Sequence, residues 1–391
     1  MSATPGYTLR QLCLYFLKLG TIGFGGPVAL IGYMHRDLVE HRRWMTEEEY
    51  KEGLALAQLA PGPLAAQLSI YLGFVHYRYR GAALVGAAFV LPSFLMVVLL
   101  GMTYKLFGGM PWMRAVFYGV GAAVTGIIAV SCYKLTIKSI SRLKPTRIKQ
   151  HWMLWAAYLI GLIMTVITRS EPLWWLIGAA LVYMFVKAPP AWLRTTGSSV
   201  PSLLLLGTGF WNATPGVLEK IGWFFFKAGA FVFGSGLAIV PFLHGGVVND
   251  YHWLNEAEFL DAVAVAMITP GPVVITVGFI GYLVAGFPGA VVAALATFLP
   301  CYLFTVIPAP HFKRIAGNAS IKTFVDGITA AVIGSLTGAV VIIALRSVYD
   351  WPTGLLAAAS CLALIYTRRL KEPYIILIAA TAGLILKMVI H

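Results

Sequence analysis

Twelve apolar stretches run through the chain with only short polar segments between most of them, and that pattern dictates the solvent. They cover 9–34, 53–75, 81–106, 114–133, 152–168, 172–187, 217–243, 259–285, 288–308, 323–345, 352–366 and 373–390. An apolar run of about 18 residues or more crosses a hydrocarbon core of about 30 Å as a helix. Hydrophobic residues make up 59% of the 391 and charged residues 11%, too little charge to coat a soluble domain of this length. The expected fold is an all-α, polytopic membrane protein. Gly and Pro interrupt several runs, so the expectation is about 10–13 membrane segments, some of them broken or re-entrant.

The net charge of +14 does not point to nucleic acid, because the basic residues gather at segment ends. Lys134, Lys138, Arg142, Lys144, Arg147 and Lys149 fall in one polar segment, read as a cytoplasmic loop beside anionic lipid. The first apolar run, bracketed by Arg10 and Lys18, lacks the small-residue pattern of a cleaved signal. Cys13, Cys132, Cys301 and Cys361 are scattered, so neither a disulfide framework nor a metal site is expected. The sequence has no GxxxxGK[ST] loop, and His35 and His41 do not have HExxH spacing. Neither an enzyme nor a cofactor is expected.

The chain repeats itself. At an offset of 209, residues 18–63 align with 227–272 without a gap and with fifteen identities in 46 positions, among them Lys18/Lys227, His35/His244, Trp44/Trp253 and Pro61-Gly62-Pro63/Pro270-Gly271-Pro272. The offset then becomes 208 and continues through Gly81/Gly289, Pro92/Pro300, Gly119/Gly327 and Gly126/Gly334. The expected organisation is a first repeat over 1–190, a linker over 191–216 and a second repeat over 217–391.

Matching loops carry opposite charge. Loop 36–51 holds Arg36, Arg42, Arg43 and Lys51, while 245–260 holds no Lys or Arg; Arg78 and Arg80 likewise have no basic counterparts in 285–288. The bias reverses later, with Lys313, Arg314 and Lys322 facing a counterpart that has only Arg114. Opposite bias places matching loops on opposite sides of the membrane, which predicts inverted-topology repeats. Because 36–51 and 76–80 are both basic, 53–75 is expected to enter and leave on one side, as is 262–284. Each would be a hairpin broken at its Pro-Gly-Pro. For 9–34 a single span and a hairpin both remain open.

Each half carries two helix-breaking motifs. Gly25, Gly26 and Pro27 match Gly234, Ser235 and Gly236; Pro61, Gly62 and Pro63 match Pro270, Gly271 and Pro272. Proline removes a donor and glycine admits positive φ. Backbone freed at membrane depth must be buried in protein or line a cavity. A half-helix starting there aims free N–H groups and its positive end at that cavity, which suits an anion. Gln67 and Thr276 follow the breaks as candidate donors, with Ser69 beside them. Lys18 and Lys227 each precede a motif glycine by seven residues. They are candidate countercharges, and snorkelling to the interface is the competing reading. Thr46/Glu49 and Asn255/Glu258 have capping-box spacing, Trp44 and Trp253 suit an interface, and Glu47 and Glu256 are candidate coupling acids. Asp326 is read as an ion-pair partner of Lys322 or as an asymmetric functional charge.

These paired motifs resemble the chromate ion transporter family in its long-chain, two-repeat form, over essentially the whole chain. The resemblance implies export of chromate, a tetrahedral oxyanion, from the cytoplasm across the bacterial inner membrane, with sulfate a natural competitor and with chromate resistance as the consequence. It also implies a possible homodimer, since short members work as pairs, besides contact with membrane lipid. The second half departs from the pattern in lacking a proline at Gly236, so the two half-sites are unequal. A passive anion channel and a transporter of sulfate or another inorganic anion stay open as alternatives.

Overall fold

A computed structural model describes residues 6–24, 26–107, 110–140, 148–168, 173–190, 216–234, 236, 239–312, 318–348, 350–367 and 372–390. Among the described residues the fold is all-α apart from two two-residue strands. The linker expected over 191–216 lies outside the described residues except for Gly216.

In the first half, α1 (Leu9–Ile22) is followed by α2 (Gly26–His35), which continues as a π turn over Arg36–His41. An unbroken helix would hold residues 15 and 37 about 33 Å apart. Instead the Tyr15 hydroxyl lies 3.4 Å from both the Tyr33 carbonyl and Asp37 Oδ2. The chain therefore doubles back at the Gly-rich motif, and 9–41 is a hairpin rather than a span. Its two feet meet in the stack of Tyr7 on Trp44, with ring centroids 4.8 Å apart.

A second hairpin follows. Its first arm is α3 (Glu47–Leu59), opened by a capping box of Thr46 and Glu49. After Pro61 come β1 (Gly62–Pro63) and α4 (Leu64–Phe107). Tyr71 of α4 packs on Gly53 of α3, so 47–77 forms the expected re-entrant hairpin. α4 is two helices joined at Arg78, where φ is 52° and ψ is −144°. A Cβ added at Gly73 would meet the carbonyl of Gly81, which places the two arms back to back and leaves 79–107 to cross the membrane.

The second half repeats the plan. It has α8 (Val217–Phe231), β2 (Phe233–Gly234), α9 (Ile239–His244) with a π turn over Gly245–Asp250, α10 (Glu256–Ile268) capped by Asn255 and Glu258, and α11 (Thr276–Val306). The kink in α11 is at Gly286, φ 65° and ψ −156°, the counterpart of Arg78. Here too two glycines, Gly281 and Gly289, let the arms touch.

The remaining helices exchange partners between halves. They are α5 (Pro111–Ile140), α6 (Ile148–Thr168) and α7 (Leu173–Lys187), then α12 (Ala319–Ser347), α13 (Trp351–Tyr366) and α14 (Glu372–Ile390). α5 packs on α13 and α14, while its counterpart α12 packs on α6 and α7. Glycines again set the approach, Gly126 against the Ala357 carbonyl and Gly334 against that of Tyr158. Among the described residues, four helices are long and apolar enough to cross a membrane by length and composition: Leu64–Phe107, Ala115–Lys134, Val273–His311 and Ala319–Leu345. Lipid-facing side chains account for the many exposed apolar residues on them, such as Leu99 and Leu295.

Candidate functional site at the hairpin tips

The four hairpins meet tip to tip, and they do so across the two halves. The Gly62 N–H donates to the Val232 carbonyl at 2.5 Å, and the Gly271 N–H donates to the Gly23 carbonyl at 3.0 Å. Under the offset of 209, Gly62 corresponds to Gly271 and Gly23 to Val232, so the two bonds are one contact made twice. Around the first, β1 and β2 pair in parallel, Gly62 with Phe233 and Pro63 with Gly234. The Pro-Gly-Pro of each half therefore closes on the first motif of the other. Gly62 has φ 142° and Gly271 φ 98°, which explains glycine between the two prolines.

Half-helix N-termini converge on this junction. α2 begins at Gly26 and Pro27, α4 at Leu64, and a short 3₁₀ turn at Val273 leads into α11. Pro27, Leu64, Gly236, Gly271 and Val273 line a space of only about 10 Å³ between them. That is at the lower limit for one water, so the junction is closed and must part to hold a larger ion. The orphan N–H groups and aligned dipoles of the half-helices give it a positive character.

Side chains brace the tips. Gln67 is fully buried, and its Nε2 donates to the Pro61 carbonyl at 2.8 Å. Its Oε1 has no hydrogen-bond partner among the described residues. Thr276 is also buried and spends its hydroxyl on the Val273 carbonyl at 2.7 Å, as Ser69 does on that of Ala66. Ser93, which no sequence motif marked, is buried beside Gly271 and lies 3.4 Å from the Gly20 carbonyl.

The structure thus brings together Gly26, Pro27, Pro61, Gly62, Pro63, Gln67, Gly234, Gly236, Pro270, Gly271, Pro272 and Thr276 at or next to the tips. Gly25 and Ser235 lie outside the described residues. Lys18 is on the exposed side of α1. The Lys227 ammonium lies 5.7 Å from the centre of the Trp223 ring and within electrostatic reach of Asp250, a residue at the foot of its hairpin. Glu47 and Glu256 also sit at hairpin feet. His35 Nε2 is 2.8 Å from Glu47, and His244 Nε2 is 2.7 Å from Glu256, again one contact made twice. The first pair is solvated and shared with Lys51 at 3.1 Å; the second has its histidine buried. The hydrogen bond from His35, and next that from Lys51, hold the exposed Glu47 carboxyl below the usual carboxylate range. Asp326 lies within electrostatic reach of Tyr183. The four cysteines are free.

A family model described as chromate transporter matches residues 10–184 and 219–384. The chain is 60% identical over 394 residues to a chromate transport protein of Cupriavidus metallidurans, covering 99% of this chain and 95% of that one. It is 58% identical to a probable chromate transport protein of Synechococcus elongatus, with 97% and 96% covered. A chromate transport protein of Pseudomonas aeruginosa is 29% identical over 97% of this chain and 92% of its own. No solved structure matches.

Proposed function

The chain belongs to the chromate transporter family, and on that premise we propose that it exports chromate from the cytoplasm across the bacterial inner membrane as a secondary active transporter working by alternating access. The observation that carries the reading is the reciprocal tip contact, Gly62 to Val232 and Gly271 to Gly23, which sets the half-helix N-termini of both repeats around one closed point. A tetrahedral dianion fits such a site because N–H groups and positive dipole ends reach it from several directions. Sulfate has the same shape and charge and competes there.

The working units of this reading are the repeats 1–190 and 217–391, joined by 191–216. The feet of the first pair of hairpins carry Arg36, Arg42, Arg43 and Lys51. The positive-inside rule puts those feet, and the N-terminus with them, in the cytoplasm. Expelling a dianion from a negative-inside cell is favoured by about 2.3 kcal/mol per charge per 100 mV. A passive channel would use the same half-helix ends. The transporter is favoured because the tips are shut at about 10 Å³ while a cavity of about 560 Å³ opens at the feet of the first repeat, against residues 309–312 of the second.

Uptake of chromate into everted membrane vesicles tests this. The expected result is saturable uptake, competed by sulfate and dependent on an imposed gradient. Lys18→Ala and Lys227→Ala decide whether those cations face the anion: lost uptake at unchanged protein level places them in its path, and intact uptake leaves the tips alone as the site. Flux in the parent that is indifferent to any counter-gradient would turn the assignment to a channel, and no flux at all would refute chromate as substrate.

A further inference from the structure

Positions 52 and 261 are equivalent under the offset of 209, and both are acids, Glu52 and Asp261. Their surroundings differ. Glu52 lines the cavity of about 560 Å³ at the feet of the first repeat, together with Glu49, Tyr71, Arg78, His311 and Phe312. The Tyr71 hydroxyl donates to Glu52 Oε2 at 3.3 Å. Asp261, in the middle of α10, is only 6% exposed, and its Oδ2 accepts from the Tyr104 hydroxyl at 2.7 Å. Tyr104 belongs to α4, so that bond runs between the two repeats.

Beyond Pro63 the offset is 208, which pairs Tyr71 with Phe279 and Tyr104 with Phe312. Each acid is thus served by one tyrosine and one phenylalanine, with the two rings in exchanged places. At Asp261 the rings are closed up: Tyr104 and Phe279 have centroids 5.6 Å apart, and Tyr282 fills the space against Gly101. At Glu52 the corresponding rings, Tyr71 and Phe312, line the open cavity of about 560 Å³. One site is seen sealed and its counterpart open.

Asp261 makes no ion pair among the described residues. The charge that acts on it is Glu258, one turn earlier on α10, and that charge is of the same sign. On the elements packed against α10, Lys134 of α5 is exposed and Tyr118 of α5 bonds Asp350, Lys105 of α4 is exposed, Asp250 ends the π turn, Lys322 and Asp326 lie near the start of α12, and Lys387 of α14 lies over the Tyr118 ring. None of these pairs with Asp261. An ionised carboxylate sealed without a cation costs several kcal/mol, whereas the neutral acid with one hydrogen bond does not.

We infer that Asp261 is a proton-binding site at the interface of the repeats, neutral while its side of the protein is sealed and ionised when that side opens, with Glu52 the equivalent site in its open form. The inference rests on the alternating-access reading above. Opening at α10 lets water reach the acid and releases a proton to that side; closure takes one up. Alkaline pH on that side therefore favours opening and acid pH favours closure. Neither Glu47, solvated at its foot, nor Glu256, held by the buried His244, is placed to report closure in this way.

Dicyclohexylcarbodiimide, which reacts with protonated carboxyl groups in apolar surroundings, tests the site on the full-length purified protein without any transport. Peptide mass spectrometry should find Asp261 modified at neutral pH and Glu52 unmodified, with modification of Asp261 falling as pH rises. Tyr104→Phe keeps the acid and removes its phenol, and should shift that pH dependence. In vesicles, Asp261→Asn should keep only reduced uptake with a flattened pH profile at unchanged protein level, and Asp261→Glu should restore both. Unmodified Asp261 beside labelled carboxyls elsewhere, or an Asp261→Asn protein with the parent's pH profile, would overturn the inference. If the parent moves no chromate yet Asp261 still labels with the expected pH dependence, the transport reading fails and the proton site stands.

Discussion

Replacing Gly271 by alanine attacks the tip junction at its most constrained backbone. Gly271 has φ 98°, where a residue with a Cβ costs about 1–3 kcal/mol in strain. The new methyl group would also run into the Ser93 hydroxyl and lie 3.4 Å from the Gly20 carbonyl. Moving the tip away gives up the Gly271–Gly23 hydrogen bond, worth about 0.5–1.5 kcal/mol net. The closed junction should lose about 2–4 kcal/mol in all. Part of that loss is specific to one neighbour, so it can be separated. With Ser93→Ala in the same chain, the nearest atom of residue 93 becomes its Cβ at 3.1 Å, and the clash shrinks to a tight contact while the φ strain remains. Thermal unfolding of the purified protein and chromate uptake should therefore show a large loss in Gly271→Ala, a small one in Ser93→Ala, and partial recovery in the double variant. Gly271→Ala with the parent's unfolding temperature and rate would refute the packing argument. A double variant no better than Gly271→Ala would refute the assignment of the clash to Ser93.

The twin histidine pairs predict an asymmetry read by thermal unfolding: His244→Ala removes a buried ring bonded to Glu256 and should cost about 1–3 kcal/mol, whereas His35→Ala, in a solvated pair, should lower the unfolding temperature much less. Glu47, held below the ordinary carboxylate range by His35 and then Lys51, contributes stability that is present above the unfolded carboxylate's titration and fades as pH falls through the folded value. His35→Gln should move that acid-side loss of unfolding temperature to higher pH. Gly73→Val drives a branched side chain into the Gly81 carbonyl and should abolish the α4 hairpin, seen as loss of monodisperse protein, while Gly178→Val, with nothing within 4 Å of the added Cβ, should not.

Local signals in the sequence reached far. Apolar run length gave the all-α membrane class, the offset of 209 gave the duplication, and loop charge gave the inversion. Proline and glycine marked where each hairpin turns. Those signals are encoded by neighbouring residues, so they can be read without the fold. The sequence leaves 9–34 open between a span and a hairpin because its Gly-rich motif lies inside an apolar run with no polar foot to count until Arg36. What touches what across the repeats was out of reach. Gly62 and Val232 are 170 positions apart, and no charge or period ties them together. Ser93 and Asp261 went unmarked for the same reason: one serine among apolar residues, and one acid beside a capping box, carry no pattern until α4 is laid against α10. Glu52 and Asp261 do align under the offset, yet the exchange of tyrosine and phenylalanine around them becomes meaningful only once both rings are seen at the acid.

The exchange of helices between halves carries a consequence for assembly. α5 has its partners α13 and α14 in the other half, and α12 has α6 and α7. Without them, Gly119 and Gly126 of α5 would face lipid, where small residues gain nothing from close backbone approach. The tips would likewise lose their bonds, since Gly62 pairs with Val232 and Gly271 with Gly23. A half on its own therefore keeps its hairpins but has no core for α5 or α12 and no closed junction. Among the described residues the two halves meet by packing, hydrogen bonds and the contact of Lys387 over the Tyr118 ring, with no need of a covalent link to choose each other. Cutting the gene within 191–216 and expressing the fragments separately should give unstable, degraded products. Expressing them together should restore a complex that co-purifies and takes up chromate in everted vesicles. A first half that is stable and monodisperse alone would refute the argument, because it would mean that α5 finds sufficient packing within its own repeat.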